Sequence, residues 1–257
     1  MDNTKIIKEI NDNGFSIVEN YFDKEELKFI KASFLETLQY INKSDETDLH
    51  KKYYEIKKFN PKLKGNWYDL TAQNLDLLKM IYKDGVSSLI KQYFGTKVVF
   101  SGRAAIHAHD DENSHLLLPH QETNQYSVNN LVFWSPIDDT DHSTGGLTVF
   151  ENSHKEGYFE HKLFNSETGK TWTDKFTHID KKITDRFNKV NLEVKAGSAV
   201  FMSSALIHSG YNNNKTGHVR ITLTERFNPL QKIPYLRDDN AEMKIPYMGV
   251  NLNLISD

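Results

Sequence analysis

The chain has no cysteine among its 257 residues. That absence excludes disulfides, thiolate nucleophiles and every zinc or iron-sulfur site built on cysteine, so a metal here must be held by histidine and carboxylate. Proline is scarce, with 6 residues, and no linker divides the sequence. Long apolar runs are missing too. No stretch approaches the roughly 18 apolar residues of a membrane helix, and the charged start, MDNTKIIKEI, lacks the apolar segment of a secretory signal. A cytoplasmic protein with no membrane partner is expected. Nor does one charge dominate: 32 basic residues face 35 acidic ones, a formal net charge of −3, which argues against a nucleic-acid partner. What is present is ordinary globular composition, 38% hydrophobic and 26% charged. It suits a single domain over residues 1–257 acting on a small molecule, with homo-oligomerisation left open.

Helices are expected first, over about residues 23–95. Asp23 with Glu26 forms a capping-box pattern, and Leu27, Ile30, Phe34, Leu38 and Ile41 follow at helical spacing. A second helix is predicted from Thr71 to Tyr93, with Leu78, Ile81, Tyr82 and Leu89 on one face and Gly95 ending it. Between them, six lysines from Lys51 to Lys64 interleave with Tyr53, Tyr54 and Phe59. They read as a solvated loop, or less often as a device that steers an anionic substrate. From about 96 to 228 the texture becomes short apolar runs bounded by Gly, Asn, Asp and Pro: KVVFSGRAAIHAH, NNLVFWSPID, GGLTVFE, KVNLEVKAG, SAVFMSSALIHSG and HVRITLTERF. Helices followed by many short strands predict a mainly β protein, an antiparallel sandwich or jelly roll with helices packed outside. A tail, residues 229–257, and an aromatic, charged insertion, residues 155–188, are candidate covers for a pocket.

The chemistry concentrates in two places. His120 and Glu122, one residue apart in LLLPHQETNQY, would point the same way in extended chain, and His208 in ALIHSGYN can complete one face of an octahedron. Two histidines and one carboxylate with three open positions form the ligand set of non-haem Fe(II) oxygenases. Twelve residues after His208, Arg220 lies on an alternating strand beside Thr222 and Thr224, and its planar fork suits a co-substrate carboxylate such as that of 2-oxoglutarate. Phe133 and Trp134 read as core, Asp138 and Asp139 as a turn, and His154 as a hydrogen-bonded structural residue.

These pieces, in order, resemble the phytanoyl-CoA dioxygenase family of Fe(II)/2-oxoglutarate-dependent oxygenases. NGFSIVENYFDKEELKFIKASF is similar to the family's opening, and PHQETNQY occupies the place of its His-Gln-Asp. FWSPIDDTDHSTGGLTVFENSHKEG is similar to its Trp-x-Pro-Leu-Asp-Asp stretch, and KAGSAVFMSSALIHSGYNNNKTGHVRITLTERF to the segment with the distal His and Arg. The likeness spans roughly residues 8–230. It implies a double-stranded β-helix of cupin-like jelly-roll type, with His120, Glu122 and His208 as iron ligands. It also implies Arg220 on the distal carboxylate of 2-oxoglutarate, and use of O2 to hydroxylate an unactivated C–H bond with release of succinate and CO2. Glu122 departs from the usual Asp by one methylene. Thr222 and Gln121 are expected to help at the co-substrate, and Arg103 and Tyr126 to touch the substrate, a small polar metabolite such as an amino acid or sugar derivative. Two other readings stay open. A cupin-type metalloenzyme without 2-oxoglutarate would use His107, His109, Glu112 and His208, with Asn212 echoing a second cupin element. A non-catalytic β-sandwich binding module would keep the metal site as a relic.

Overall fold

The computed structural model describes residues 1–83, 85–101, 104–111, 118–122, 130–163 and 177–229. The elements run α1 (Asn3–Asn13), β1 (Phe15–Val18), α2 (Lys24–Ile41), α3 (Leu49–Phe59), α4 (Leu63–Ala72), α5 (Leu75–Ile81), α6 (Val86–Phe94), β2 (Val99–Ser101) and β3 (Ala105–Asp110). They continue with β4 (Leu131–Pro136), β5 (Gly146–Phe150), β6 (His161–Leu163), β7 (Thr177–Ile179), α7 (Lys181–Thr184), β8 (Lys189–Leu192), β9 (Ala199–Ser203), β10 (His208–Tyr211) and β11 (Val219–Pro229). Every pairing is antiparallel.

The major sheet runs β1-β9-β4-β11-β2, with β3 also paired to β11, and the minor sheet runs β10-β5-β8. Strand alternation sorts their side chains into two cores. Val132, Trp134, Val200 and Met202 point from the major sheet toward Leu147, Val149 and Leu192 of the minor one. Their sequence neighbours Leu131, Phe133, Ala199 and Phe201 point the other way and join Val219, Ile221, Leu223 and Phe227 against the helices. This arrangement is the expected mainly β, double-stranded β-helix architecture with helices on one face.

The helices form for local reasons. Asp23 accepts from the N–H groups of Glu25 and Glu26, while Glu26 accepts from the N–H of Asp23, completing the capping box. Ile30, Phe34 and Leu38 of α2 are fully buried. The single helix expected over 71–93 is instead α5 and α6. Asn74 caps α5 by accepting from Asp76 and Leu77, and Gly85, at φ +94°, turns the chain before α6. The lysine-rich stretch is helical rather than a loop, because its polar groups find partners. Lys52 donates to the carbonyl of Asn42, and Lys57 reaches Asp110 at 2.9 Å. The α4 helix covers the free edge of β3: the N–H of Ala108 donates to the Tyr68 hydroxyl at 2.8 Å, and Lys64 donates to the Ala108 carbonyl at 3.0 Å. Four further elements were not foreseen, namely α1 and, inside the 155–188 insertion, β6, β7 and α7. Residues 164–176 and 230–257, and with them Trp172, Phe176 and the tail, lie outside the described residues.

Below β11, His218 stacks on His50 with ring centroids 4.5 Å apart. Its imidazole is pulled down to about 4, first by burial and then by His50. The unfolded chain, with an ordinary histidine near 6.5, therefore binds more protons than the folded one between these values. This stability is fully present above about pH 6.5 and is lost as pH falls toward about 4. Thermal midpoints of the metal-free protein at pH 7, 5.5 and 4.5 should fall in that order, and His218→Gln should flatten the decline.

Candidate metal centre

The centre begins with a backbone contact. The N–H of His120 donates to the carbonyl of His208 at 2.9 Å, and the N–H of His208 donates back to that of His120 at 3.0 Å. This isolated antiparallel bridge continues the pairing of β10 beyond the minor sheet and puts the two imidazoles side by side, centroids 4.3 Å apart. Two residues on, the N–H of Glu122 donates to the Ser204 carbonyl, so the segment turns while keeping the carboxylate on the imidazole side. Donor atoms of His120, Glu122 and His208 all lie within 4.8 Å of one another. Among the described residues no other group of three metal-binding side chains converges in this way.

The histidines are oriented for coordination. Nδ1 of His120 lies 2.7 Å from the Leu118 carbonyl, and Nδ1 of His208 lies 3.0 Å from that of Leu206. A carbonyl only accepts, so both Nδ1 atoms carry the proton and both Nε2 lone pairs are free to bind metal. Glu122 Oε1 is 3.9 Å from Nε2 of His120 and 3.7 Å from that of His208. All three side chains are buried. Burial pushes the Glu122 carboxyl up, but Arg226 and the two imidazoles outweigh it and hold the group well below the usual carboxylate range. It is an anion at neutral pH, and burial keeps His208 below its ordinary value and neutral. Two imidazole nitrogens and one carboxylate oxygen fit a divalent ion such as iron, manganese or cobalt.

β11 builds the wall beside the centre. Its outward residues enter the helix-side core, so Arg220, Thr222, Thr224 and Arg226 share the inner face. His109 sits opposite Arg220 and His107 opposite Thr222 on β3. Arg220 is buried, donates from one terminal nitrogen to the Gly146 carbonyl at 2.7 Å, and leaves Nε without a hydrogen-bond partner. No carboxylate among the described residues lies within ion-pair distance of it. Burial lowers its pKa to about 10, so it stays charged at neutral pH. The wall near its acceptor is tight, since a Cβ at Gly146 would lie 2.6 Å from the Tyr211 hydroxyl and that ring would have to shift. Burial also keeps His107, at about 3, and His109, well below its ordinary value, uncharged.

Gln121 does not face the centre. Its amide donates to the carbonyls of Gly157 and Ala205 and accepts from the N–H of Phe159, while its backbone N–H donates to Nε2 of His161. With Ile179 donating to the Pro119 carbonyl, these bonds fasten the β6–β7 hairpin to the metal segment. His107 and His109 stand on the wall, outside the converging group, and Asn212 is exposed. Arg103, Glu112 and Tyr126 lie outside the described residues. Arg226 was missed by the sequence reading. Its signal was present, because the alternation that places Arg220 inward also places Arg226 inward.

The sequence matches the phytanoyl-CoA dioxygenase (PhyH) family over residues 10–222. The chain belongs to this family. No curated protein sequence matches this PhyH chain. Solved structures share its fold at low identity. EctD from S. alaskensis, in its apoform, has a TM-score of 0.63 at 12% identity, covering 95% of this chain and 82% of that one. EvdO2 from Micromonospora carbonacea var. aurantiaca, complexed with 2-oxoglutarate, has a TM-score of 0.59 at 12% identity, covering 95% and 96%. The epimerase SnoN, in complex with Fe3+, alpha ketoglutarate and nogalamycin RO, has a TM-score of 0.61 at 14% identity, covering 88% and 83%. Among the described residues of this PhyH protein, no helix is long and apolar enough to cross a membrane.

If Gln121 is a fastener, Gln121→Leu strands two carbonyls and an N–H. At about 1–3 kcal/mol for each buried polar group left unpaired, with partial relaxation, it should cost about 2–4 kcal/mol. Urea unfolding of the metal-free protein measures this loss.

Proposed function

We propose that this PhyH protein is an Fe(II)- and 2-oxoglutarate-dependent oxygenase that hydroxylates an unactivated C–H bond of a small polar metabolite, an amino acid or a sugar derivative. In this reading His120, Glu122 and His208 hold the iron. Arg220 takes the distal carboxylate of 2-oxoglutarate, with Thr222 beside it. Bound iron, with 2-oxoglutarate and O2, supplies an oxidant able to break such a bond, the co-substrate leaving as succinate and CO2.

The observation that carries the reading is Arg220. A guanidinium buried without a carboxylate among the described residues is costly unless an anion joins it, and a planar fork suits a carboxylate. Family membership and the bound molecules named for EvdO2 and SnoN support 2-oxoglutarate as that anion. The chain's own residues then orient and insulate. The two Nδ1–H groups fix the imidazoles, Gln121 ties the metal segment to the hairpin, and α4 seals the edge of β3. Neutral His107 and His109 offer hydrogen bonds without charge, which supports a polar substrate. Arg103 and Tyr126 are assigned to substrate contact on the sequence alone. Epimerisation, the activity named for SnoN, is a second outcome for such a site. Oxygen from 18O2 in the product favours hydroxylation, and unlabelled product favours epimerisation.

Anaerobic titration of Fe(II)-supplied protein with 2-oxoglutarate should produce a weak visible charge-transfer band. Arg220→Ala should raise the 2-oxoglutarate Kd about 100-fold, the scale expected when one partner of a buried charge pair is removed. Arg220→Lys should recover part of the loss. An unchanged Kd in Arg220→Ala would show that the co-substrate binds elsewhere.

A further inference from the structure

Glutamate carries its carboxylate on two methylenes, so the group can swing about χ3 and offer a metal one oxygen or both. In this chain the choice is constrained. Arg226 donates from Nη2 to Glu122 Oε1 at 2.9 Å and from Nε to Oε2 at 3.2 Å, a two-point side-on pair in which both residues are buried. Both oxygens accept from Arg226, Oε1 from Nη2 and Oε2 from Nε, and Oε1 is the one that also pairs with the two imidazoles. The guanidinium is itself held. Its Nη1 donates to the Thr224 hydroxyl at 3.1 Å, and the Thr224 hydroxyl donates to the Ala105 carbonyl at 3.3 Å.

We propose that Arg226 is a positioning residue for the metal centre: its side-on pair with Glu122 presents Oε1 to the ion and withholds Oε2, limiting this ligand to one oxygen. The proposal rests on the metal-centre reading above and assigns a part to a residue which that reading leaves unused. Side-chain length makes Arg226 specific for the task. A planar fork satisfies both oxygens at once and fixes the carboxylate plane, whereas an ammonium at the same place would be a point charge that lets the plane rotate. Thr224 belongs to the same device one step further out, because it sets the roll of the guanidinium.

Co(II) is the probe, because its visible d–d absorption reports coordination number without turnover. Wild-type protein should bind about one Co(II), and His208→Ala should abolish binding. Arg226→Leu should weaken Co(II) binding by about 10–100-fold, the range for lost outer-shell partners of metal ligands, and should change the d–d spectrum as the carboxylate rotates. Arg226→Lys should restore part of the affinity but not the spectrum. Thr224→Val, a milder change that keeps the strand, should shift the spectrum in the same direction as Arg226→Leu. Circular dichroism of each metal-free variant separates this from collapse of the fold, and Thr224→Val keeps the test decisive if Arg226→Leu fails to fold. Unchanged affinity and spectrum in a folded Arg226→Leu or Thr224→Val, with His208→Ala still inactive in binding, would overturn the positioning role and leave the metal centre standing. Failure of the wild type to bind Co(II) at all would overturn both.

Discussion

Two backbone hydrogen bonds between His120 and His208 hold the centre together. They join a segment outside the sheets to the first residue of β10, and the convergence of His120, Glu122 and His208 follows from that register. A slip by one residue would exchange His120 for Gln121 and turn the imidazole away, because alternate residues of extended chain face opposite sides. The β6–β7 pair guards against such a slip, with His161 accepting from the N–H of Gln121 and Ile179 donating to the Pro119 carbonyl. Gln121 occupies the reverse side of the segment and spends every hydrogen-bonding atom of its amide on Gly157, Phe159 and Ala205. The residue between the two ligands is thus as constrained as the ligands.

Charge in the interior follows from the same geometry. Glu122 is ionised and matched by Arg226, and His208 is kept neutral by burial. His107 and His109 are also neutral, so the wall's cationic character comes from its arginines. That leaves Arg220 as a buried positive charge facing inward without a carboxylate among the described residues. Burying a cation without a matching anion carries a large desolvation cost. The two arginines of β11 therefore differ in role despite sharing a face. One is matched by a carboxylate inside the protein, and the other has none beside it among the described residues.

The helical half serves the sheets. Among the described residues β3 pairs only with β11, and its other edge would expose the N–H and carbonyl of Ala108. Tyr68 and Lys64 of α4 take up both groups. Lysines that looked like a solvated run are thus partly structural, and Lys64, lowered by burial to about 8, shows how far one of them is withdrawn from water. The same helices receive Ile106, Ile221 and Leu223, the outward faces of the strands that carry the inner wall.

Local signals in the sequence decided much of this protein. The capping box at Asp23 and Glu26, the apolar stripe of α2, the strand runs and the alternation of HVRITLTERF depend on residues near one another in the chain, and each formed as its period required. His120, Glu122 and His208 were readable because a carboxylate one residue from a histidine can share its direction. Tertiary structure alone decided the rest. The 71–93 stripe became two helices because the cap at Asn74 and the turn at Gly85 redirect the chain to follow the core. The partner of Glu122 proved to be Arg226, 104 residues away, and Gln121 turned from the site to hold the carbonyls of Gly157 and Ala205, 36 and 84 residues distant. Sequence periodicity fixes which face a side chain occupies. Only the packing of distant strands fixes what it meets there.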